Sequence, residues 1–354
     1  MGKDHISTKD ILRVEHVDNY YSKGGLGILK KTEQNHVLHD ISLTIGNDEF
    51  FGLVGESGCG KSTLANAILG LIPFEGTIEV AGHAHKSTDR REFTRHIQAV
   101  FQDPLSALNP RRTIGETMRE PLMAHGIGNR QEQDRKIAKM LETVGLDASY
   151  ADRYPKELSG GQRQRVCIGA ALILEPELII ADEAISALDV SVGSQILNLF
   201  NTIDVERDFS MLFISHNLNV VYYLCDRIAV MHKGYIVEMG TADAVYNHSG
   251  HPYTRLLLSA IPDMEEEKDR EKELLEKFKA PVSGACAYYY RCPYAGDHCH
   301  KKPELINIAG EGEPEHLVRC FMPTLFDPSR VREPLDIPGR EKGTGNSGRE
   351  VRKP

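Results

Sequence analysis

The stretch "EFFGLVGESGCGKSTLANAILG", residues 49–70, decides how this chain is read. It opens with an apolar run short enough for a buried strand and closes with helix formers that stop at Gly70. Between them lies Gly-x-x-x-x-Gly-Lys-Ser, the pattern of a phosphate-cradling loop, in the strand–loop–helix setting that such a loop needs. Small residues let the backbone curl, so that successive N–H groups of Gly55, Glu56, Ser57, Gly58, Cys59 and Gly60 face phosphate oxygens. Lys61 is placed to reach the β- and γ-phosphates, Ser62 to ligate Mg²⁺ and Thr63 to touch the α-phosphate. Cys59 reads as a small loop residue.

Outward from this loop, apolar strands alternate with helical sequence. Residues 11–21, "HVLHDISLTI" and "GTIEVAG" read as strands, and about 105 to 172 reads as mainly helical. There, "QEQDRKIAKMLETVGL" puts Ile137, Met140, Leu141 and Val144 on one face. "ELIIAD" and "SMLFISH" are further buried strands, and "RIAVMHKGYIVEMG" reads as a hairpin turning at Lys233-Gly234. The order predicts an α/β fold with a mainly parallel sheet and helices on both faces. In such sheets ligands bind beyond the strand C-termini, where Asp182, Glu183 and His216 fall. Asp182 is placed to hold Mg²⁺, usually through water, and Glu183 to polarise an attacking water. A second glycine-bearing segment, "LSGGQRQRV" at 158–166, again opens a helix and forms another anion site.

The 354 residues carry a formal net charge of −9, which argues against nucleic-acid coating. No apolar run approaches the roughly 20 residues of a membrane helix. The start lacks the apolar core of a signal peptide, and Ile6 stands where a myristoylation pattern wants Ser or Thr. These features predict a cytosolic chain that meets membranes only through partners. Of seven cysteines, Cys286, Cys292, Cys299 and Cys320 crowd the tail; in a reducing compartment such a group reads as metal binding before disulfides.

The succession of P-loop, "FQDP", "LSGGQ", "IIADE", "SALD" and "ISH" resembles the nucleotide-binding subunit of ATP-binding cassette (ABC) transporters over roughly residues 11–262. The resemblance implies a P-loop ATPase with a RecA-like parallel core, an antiparallel β subdomain and a helical subdomain at about 105–172. It implies that Tyr21, or else neighbouring Tyr20, stacks on adenine, and that Gln102 senses Mg²⁺ and the attacking water. Ser159, Gly160, Gly161 and Gln162 would form the signature, Asp189 would belong to the loop crossing to the other subunit, and His216 would contact the γ-phosphate. Lys61, Gln102, Glu183 and His216 are thus the expected catalytic set, with Ser62, Gln102 and Asp182 around Mg²⁺. Two chains of this family pair head to tail, so the signature meets the γ-phosphate of ATP held by another chain.

"FQDPLSALNPRRTIGE", "HPYTRLLLSAIP" and the cysteine segment are similar to ATPases of peptide and nickel importers, to about residue 322. That implies a second, paralogous ATPase, two transmembrane permease subunits and an extracytoplasmic substrate-binding protein, with this chain peripheral at the cytoplasmic face. The expected cargo is di- or oligopeptides, with nickel or a metal chelate as alternative; a soluble cassette acting on ribosomes, DNA or cluster assembly is the rival. The resemblance implies that the four tail cysteines hold a [4Fe–4S] cluster, with zinc, or free or disulfide-linked cysteines, as the alternatives. Three departures from frequent family residues are Ala184-Ile185, Ala170 and Asn217, none of which removes a catalytic group. Boundaries are expected at 1–262 for the cassette and 263–326 for the extension, with 327–354 a disordered tail. The charged run 264–280 reads as a solvated helix docking Leu274 and Phe278.

Overall fold

The structure is a computed structural model that describes residues 10–22, 34–206, 209–259 and 284–323. The run 264–280 with Leu274 and Phe278, the tail 327–354, and residues 2 and 6 lie outside the described residues. Twelve strands are described: β1 Asp10–Ser22, β2 Gln34–Gly46, β3 Phe50–Val54, β4 Glu75–Val80, β5 His83–Ala84, β6 Ile97–Val100, β7 Leu178–Asp182, β8 Ser210–Ser215, β9 Arg227–His232, β10 Tyr235–Thr241, β11 Ile306–Asn307 and β12 Leu317–Val318. The α-helices are α1 Lys61–Ile68, α2 Arg90–His96, α3 Pro104–Ala107, α4 Ile114–Ala124, α5 Arg130–Thr143, α6 Gly160–Leu172, α7 Val190–Glu206, α8 Leu218–Leu224, α9 Ala242–Asn247 and α10 Pro252–Ser259.

The strands form two sheets, an antiparallel one in the order β2-β1-β4-β5 and a mixed one in the order β11-β12-β10-β9-β3-β8-β7-β6. Within the second, β9-β3-β8-β7-β6 are parallel neighbours. The residues of β3 and β8 are all buried, because this part of the sheet is covered on both faces, as its near-continuous apolar sequence requires. Alternation along β3 splits the core in two. Phe50 and Val54 join residues of α4 to α10, whereas Phe51 and Leu53 join α1 and the antiparallel sheet. Gly52 lets α8 sit directly on β3, since a Cβ there would lie 2.0 Å from Val221 Cγ1.

The helical segment is built as its periodicity predicts. Asn129 caps α5 in a capping box with Glu132, and Ile137, Met140, Leu141 and Val144 are all buried. Lys233 and Gly234, at φ 45° and 80°, make the hairpin turn between β9 and β10. The sequence reading did not anticipate β5, α2, β6, β11 or β12. β6 has only four residues at a sheet edge, too few for a periodic signal.

The cysteine-bearing extension continues the core sheet instead of hanging beside it. β12 pairs antiparallel with β10, Glu238 facing Val318 and Met239 facing Leu317. Fully buried Glu238 accepts hydrogen bonds from the N–H groups of Gly250 (2.6 Å) and His251 (3.0 Å) and is paired with His316 Nε2 at 2.7 Å. A buried carboxylate satisfied three times over ties the extension to the end of the cassette.

Candidate nucleotide site

The parallel strands β3, β8, β7 and β6 are consecutive neighbours, and each delivers one predicted group at its C-terminal end. They carry, in that order, the P-loop, His216, the pair Asp182-Glu183, and Gln102. Sequence order and spatial order differ because the chain crosses over between β3 and β8, and only the sheet makes the four into neighbours.

The P-loop glycines have separate physical reasons. Gly58 and Gly60 sit at φ 79° and 113°, a region side chains avoid. Gly55 has no such torsion but no room either: a Cβ would lie 2.2 Å from the Met231 carbonyl oxygen. Gly60 caps α1 without a side-chain acceptor, so the first-turn N–H groups stay open to an anion at the positive end of the helix. Lys61 is buried, its Nζ donating to the carbonyls of Gly55 (2.7 Å) and Glu56 (3.1 Å). Cys59 is packed against Lys61, and burial raises its thiol pKa. Its carbonyl accepts from Gly234 N at 2.8 Å, so the β9–β10 turn supports the loop.

Ser62 hydrogen-bonds the Asp182 carboxylate, while Asp182 Oδ1 is buried without a partner. Burial raises the Asp182 pKa; the Ser62 bond and Lys61 oppose that, and the charge of Glu183 adds to it. An orphaned buried carboxylate oxygen beside a serine hydroxyl fits a hard divalent cation, which takes oxygen ligands. Glu183 has φ 48°, unusual for glutamate, and its N–H donates to Ile214 O at 2.9 Å, which holds that conformation. Glu183 Oε1 lies 3.6 Å from His216 Nδ1, so the acid from β7 and the histidine from β8 face each other. Gln102 is exposed two residues beyond β6, just before Asp103 caps α3.

Tyr20 and Tyr21 are 38% and 44% exposed, but Tyr20 stacks on His36 with centroids 4.2 Å apart. At α6, Ser159 and Gln162 form a reciprocal capping box, and Gln162 Nε2 donates to Tyr150 OH at 2.9 Å. Ser159 is exposed and Gly160 and Gly161 half-buried. Asp189 accepts from Val192 N and Ser191 Oγ at the start of α7, and these bonds hold its carboxyl below the usual range.

Two residues that the sequence did not flag hold Glu56 in the loop. Tyr253 OH accepts from Glu56 N at 2.9 Å, and Arg291 Nη1 lies 2.9 Å from both Glu56 carboxylate oxygens. They stand 197 and 235 residues away, beyond any local signal. Lys233 sits over the Tyr290 ring at 3.7 Å, so the extension touches the P-loop and its supporting turn together.

Among the described residues no helix is long and apolar enough to cross a membrane. The four tail thiols interact electrostatically with one another, and burial raises Cys286 to about 11 and Cys292 to about 12. Met322 N donates to Cys320 Sγ at 3.5 Å.

Residues 38–186 match the model of the ABC transporter family, and 237–299 that of the oligopeptide/dipeptide transporter C-terminal region. The chain is 44% identical over 291 residues to the oligopeptide transport ATP-binding protein OppF of Escherichia coli (strain K12), covering 79% of this chain and 86% of that protein. It is 41% identical to the di/tripeptide transport ATP-binding protein DppF of Pseudomonas aeruginosa (strain UCBPP-PA14), over 79% and 89% of the two chains. A dimeric ATP-binding cassette in a post-hydrolysis state, bound to ADP and Pi, superposes with a TM-score of 0.57 at 28% identity, covering 65% of this chain and 98% of that one. With its strand-end constellation and its sheet-continuing C-terminal region, this chain belongs to the ABC transporter ATPases, in the branch of the oligopeptide/dipeptide transport ATP-binding proteins.

Proposed function

We propose that this chain is the ATP-hydrolysing subunit that energises import of di- or oligopeptides. It would act at the cytoplasmic face of the membrane with a second, paralogous ATPase, two permease subunits and an extracytoplasmic binding protein. The observation that carries the chemistry is the meeting of Ser62, the orphaned Asp182 oxygen, Glu183 and His216 at adjoining strand ends. The cargo reading rests on the C-terminal match, 237–299, and on relatives named for oligopeptide and di/tripeptide transport. In this reading residues 1–262 are the cassette and 263–326 the extension.

Lys61 leaves its carbonyl partners in the loop to meet the β- and γ-phosphates of ATP, and open N–H groups of α1 take the remaining oxygens. Thr63 touches the α-phosphate. Tyr21 is the adenine platform, because His36 already occupies a face of Tyr20. Ser62, Asp182 and Gln102 would hold Mg²⁺, which would neutralise phosphate charge. Glu183 orients and polarises the attacking water, its backbone held by Ile214, and His216 faces the γ-phosphate from the next strand. The exposed Ser159, with Gly160, Gly161 and Gln162, closes over the γ-phosphate of ATP bound by the partner ATPase, and Asp189 lies in the crossing loop. Cleavage removes that anionic bridge and lets the pair separate.

Cys286, Cys292, Cys299 and Cys320 would hold a [4Fe–4S] cluster, which demands four thiolates. Zinc is the alternative occupant.

The assembled complex tests the reading. Peptide-loaded binding protein should stimulate its ATPase, and Glu183→Gln should retain ATP but stop turnover. Stimulation by a nickel-chelate-loaded binding protein alone would overturn the cargo reading. Wild-type turnover in Glu183→Gln would overturn the assignment of the base.

A further inference from the structure

The helix that follows the signature carries a glutamine for which the nucleotide site has no use. Gln164 lies in the second turn of α6 and is fully buried. Neither its Oε1 nor its Nε2 has a hydrogen-bond partner. The other buried glutamine, Gln133, is satisfied: its Nε2 donates to the carbonyls of Ile127 and Gly128, at 3.0 and 3.2 Å. Gln162, two residues before Gln164, has both ends engaged, with Ser159 N and with Tyr150 OH, each at 2.9 Å. A buried amide with donor and acceptor both unmet destabilises the fold, and an apolar side chain of similar size would fill the space without that penalty. Gln164 therefore calls for polar partners that reach it in a second arrangement of its neighbours.

The fold identifies those neighbours. α6 packs on β6 and on α3, the two elements that flank Gln102. With about 3.6 residues per turn, Gln164 lies roughly 60° round the helix from both Gly161 and Cys167, between them. Gly161 faces α7, where an added Cβ would lie 2.5 Å from Val192 Cγ1. Cys167 is buried within reach of the charge on Asp103, the residue after Gln102. Asp103 is tied down by capping α3 through Leu105 N. Gln102 is exposed and belongs to neither β6 nor α3, so neither element fixes its conformation.

We propose that Gln164 is a positioning residue for ATP hydrolysis, its amide taking the main-chain groups of residues 101–103 when ATP and Mg²⁺ draw that segment in. A carboxamide offers both a donor and an acceptor, which is the complement of a peptide group. These bonds would hold the Gln102 side chain in its working position. They would also tie that position to α6, whose first turn bears Gly160 and Gly161 for the partner's ATP. Because the bonds form only in the closed arrangement, they favour that arrangement over the open one. The inference rests on the ATPase reading given above.

The test is Gln164→Met, which keeps an unbranched chain of similar size and removes both polar ends. Without nucleotide, the full-length variant should melt about 2 °C or more above wild type, because the unmet amide is gone. In the assembled complex, kcat should fall about 5- to 30-fold, the worth of one or two hydrogen bonds. The Kd of the purified chain for a fluorescent ATP analogue should stay within about twofold of wild type, since the P-loop is untouched. A glutamine bonded at all times would give the opposite sign, a lower melting temperature in the variant. In a Gln102→Ala background Gln164→Met should cost little more, because the two residues act in series. Gln164→Leu serves as the second variant. Lower melting temperatures or failure to fold with both replacements would overturn the proposal, as would a kcat equal to wild type or losses that multiply with Gln102→Ala. A wild-type complex without ATP turnover would sink the ATPase reading and this inference with it, whereas an active wild type and an equally active Gln164→Met would sink the inference alone.

Discussion

Replacing Arg291 by alanine should weaken nucleotide binding although Arg291 is far from any phosphate-binding motif in sequence. Its guanidinium holds the Glu56 carboxylate, while Tyr253 holds the Glu56 N–H, so the loop is gripped at side chain and backbone. The side chains of the pair are 30% and 41% exposed. Water therefore solvates Glu56 once its partner is gone, and no buried charge is stranded. A charge-assisted pair so placed stabilises by about 0.5–1 kcal/mol, more than a fully exposed pair and far less than a buried one. If all of that serves to keep the loop in its binding shape, the Kd for ATP rises about two- to fivefold, since 1.4 kcal/mol is tenfold. Titration of the purified protein with a fluorescent ATP analogue reads this directly. High salt should narrow the gap between wild type and variant, because the lost interaction is screened. Arg291→Lys should restore part of the affinity, with kcat of the assembled complex close to wild type. An unchanged Kd in Arg291→Ala, or a fall in kcat at constant Kd, would refute the bracing role.

The signature glycines separate packing from function. A Cβ at Gly161 would lie 2.5 Å from Val192 Cγ1, so Gly161→Ala should lower the melting temperature through about 1–3 kcal/mol of overpacking. A Cβ at Gly160 meets only Leu188 Cδ2, at 3.7 Å, so Gly160→Ala should leave thermal stability near wild type while slowing ATP turnover of the assembled pair. Equal melting temperatures for the two variants would contradict this. Acid should destabilise the protein through His251 and His232, which burial lowers to about 3 and about 4. Below pH 6.5 the unfolded chain takes up protons that these buried rings refuse, so their stabilisation is complete at pH 7 and lost as pH falls towards those values. At pH 5 the loss is up to ~2 kcal/mol for each ring, from about 1.4 kcal/mol per pH unit. Melting temperatures measured between pH 7.5 and 5 should fall steeply and less so in His232→Phe; equal pH slopes would contradict the assignment.

Local chemistry made much of the site legible. A strand, a glycine loop and a helix in succession are set by residues within reach of one another, so 49–70 reads as a phosphate loop before any tertiary contact is known. Asp182, Glu183 and His216 are legible for a similar reason, since each ends an apolar run that can only be a buried strand. β6 was not, because four residues at an edge carry no periodic signal, and β11 and β12 are shorter still. Glu238 looks like an ordinary polar residue of a hairpin strand, and its burial becomes tolerable only when Gly250, His251 and His316 supply its partners.

The amino-acid sequence by itself determined the type of chemistry, through motifs whose spacing is enforced by bonds along the chain. The tertiary structure alone decided which groups became neighbours: His216 opposite Glu183, Arg291 on Glu56, and β12 closing the sheet beside β10. The physical reason is range. Backbone torsions and helix or strand periodicity act over a few residues, whereas burial and charge pairing join residues that lie hundreds of positions apart.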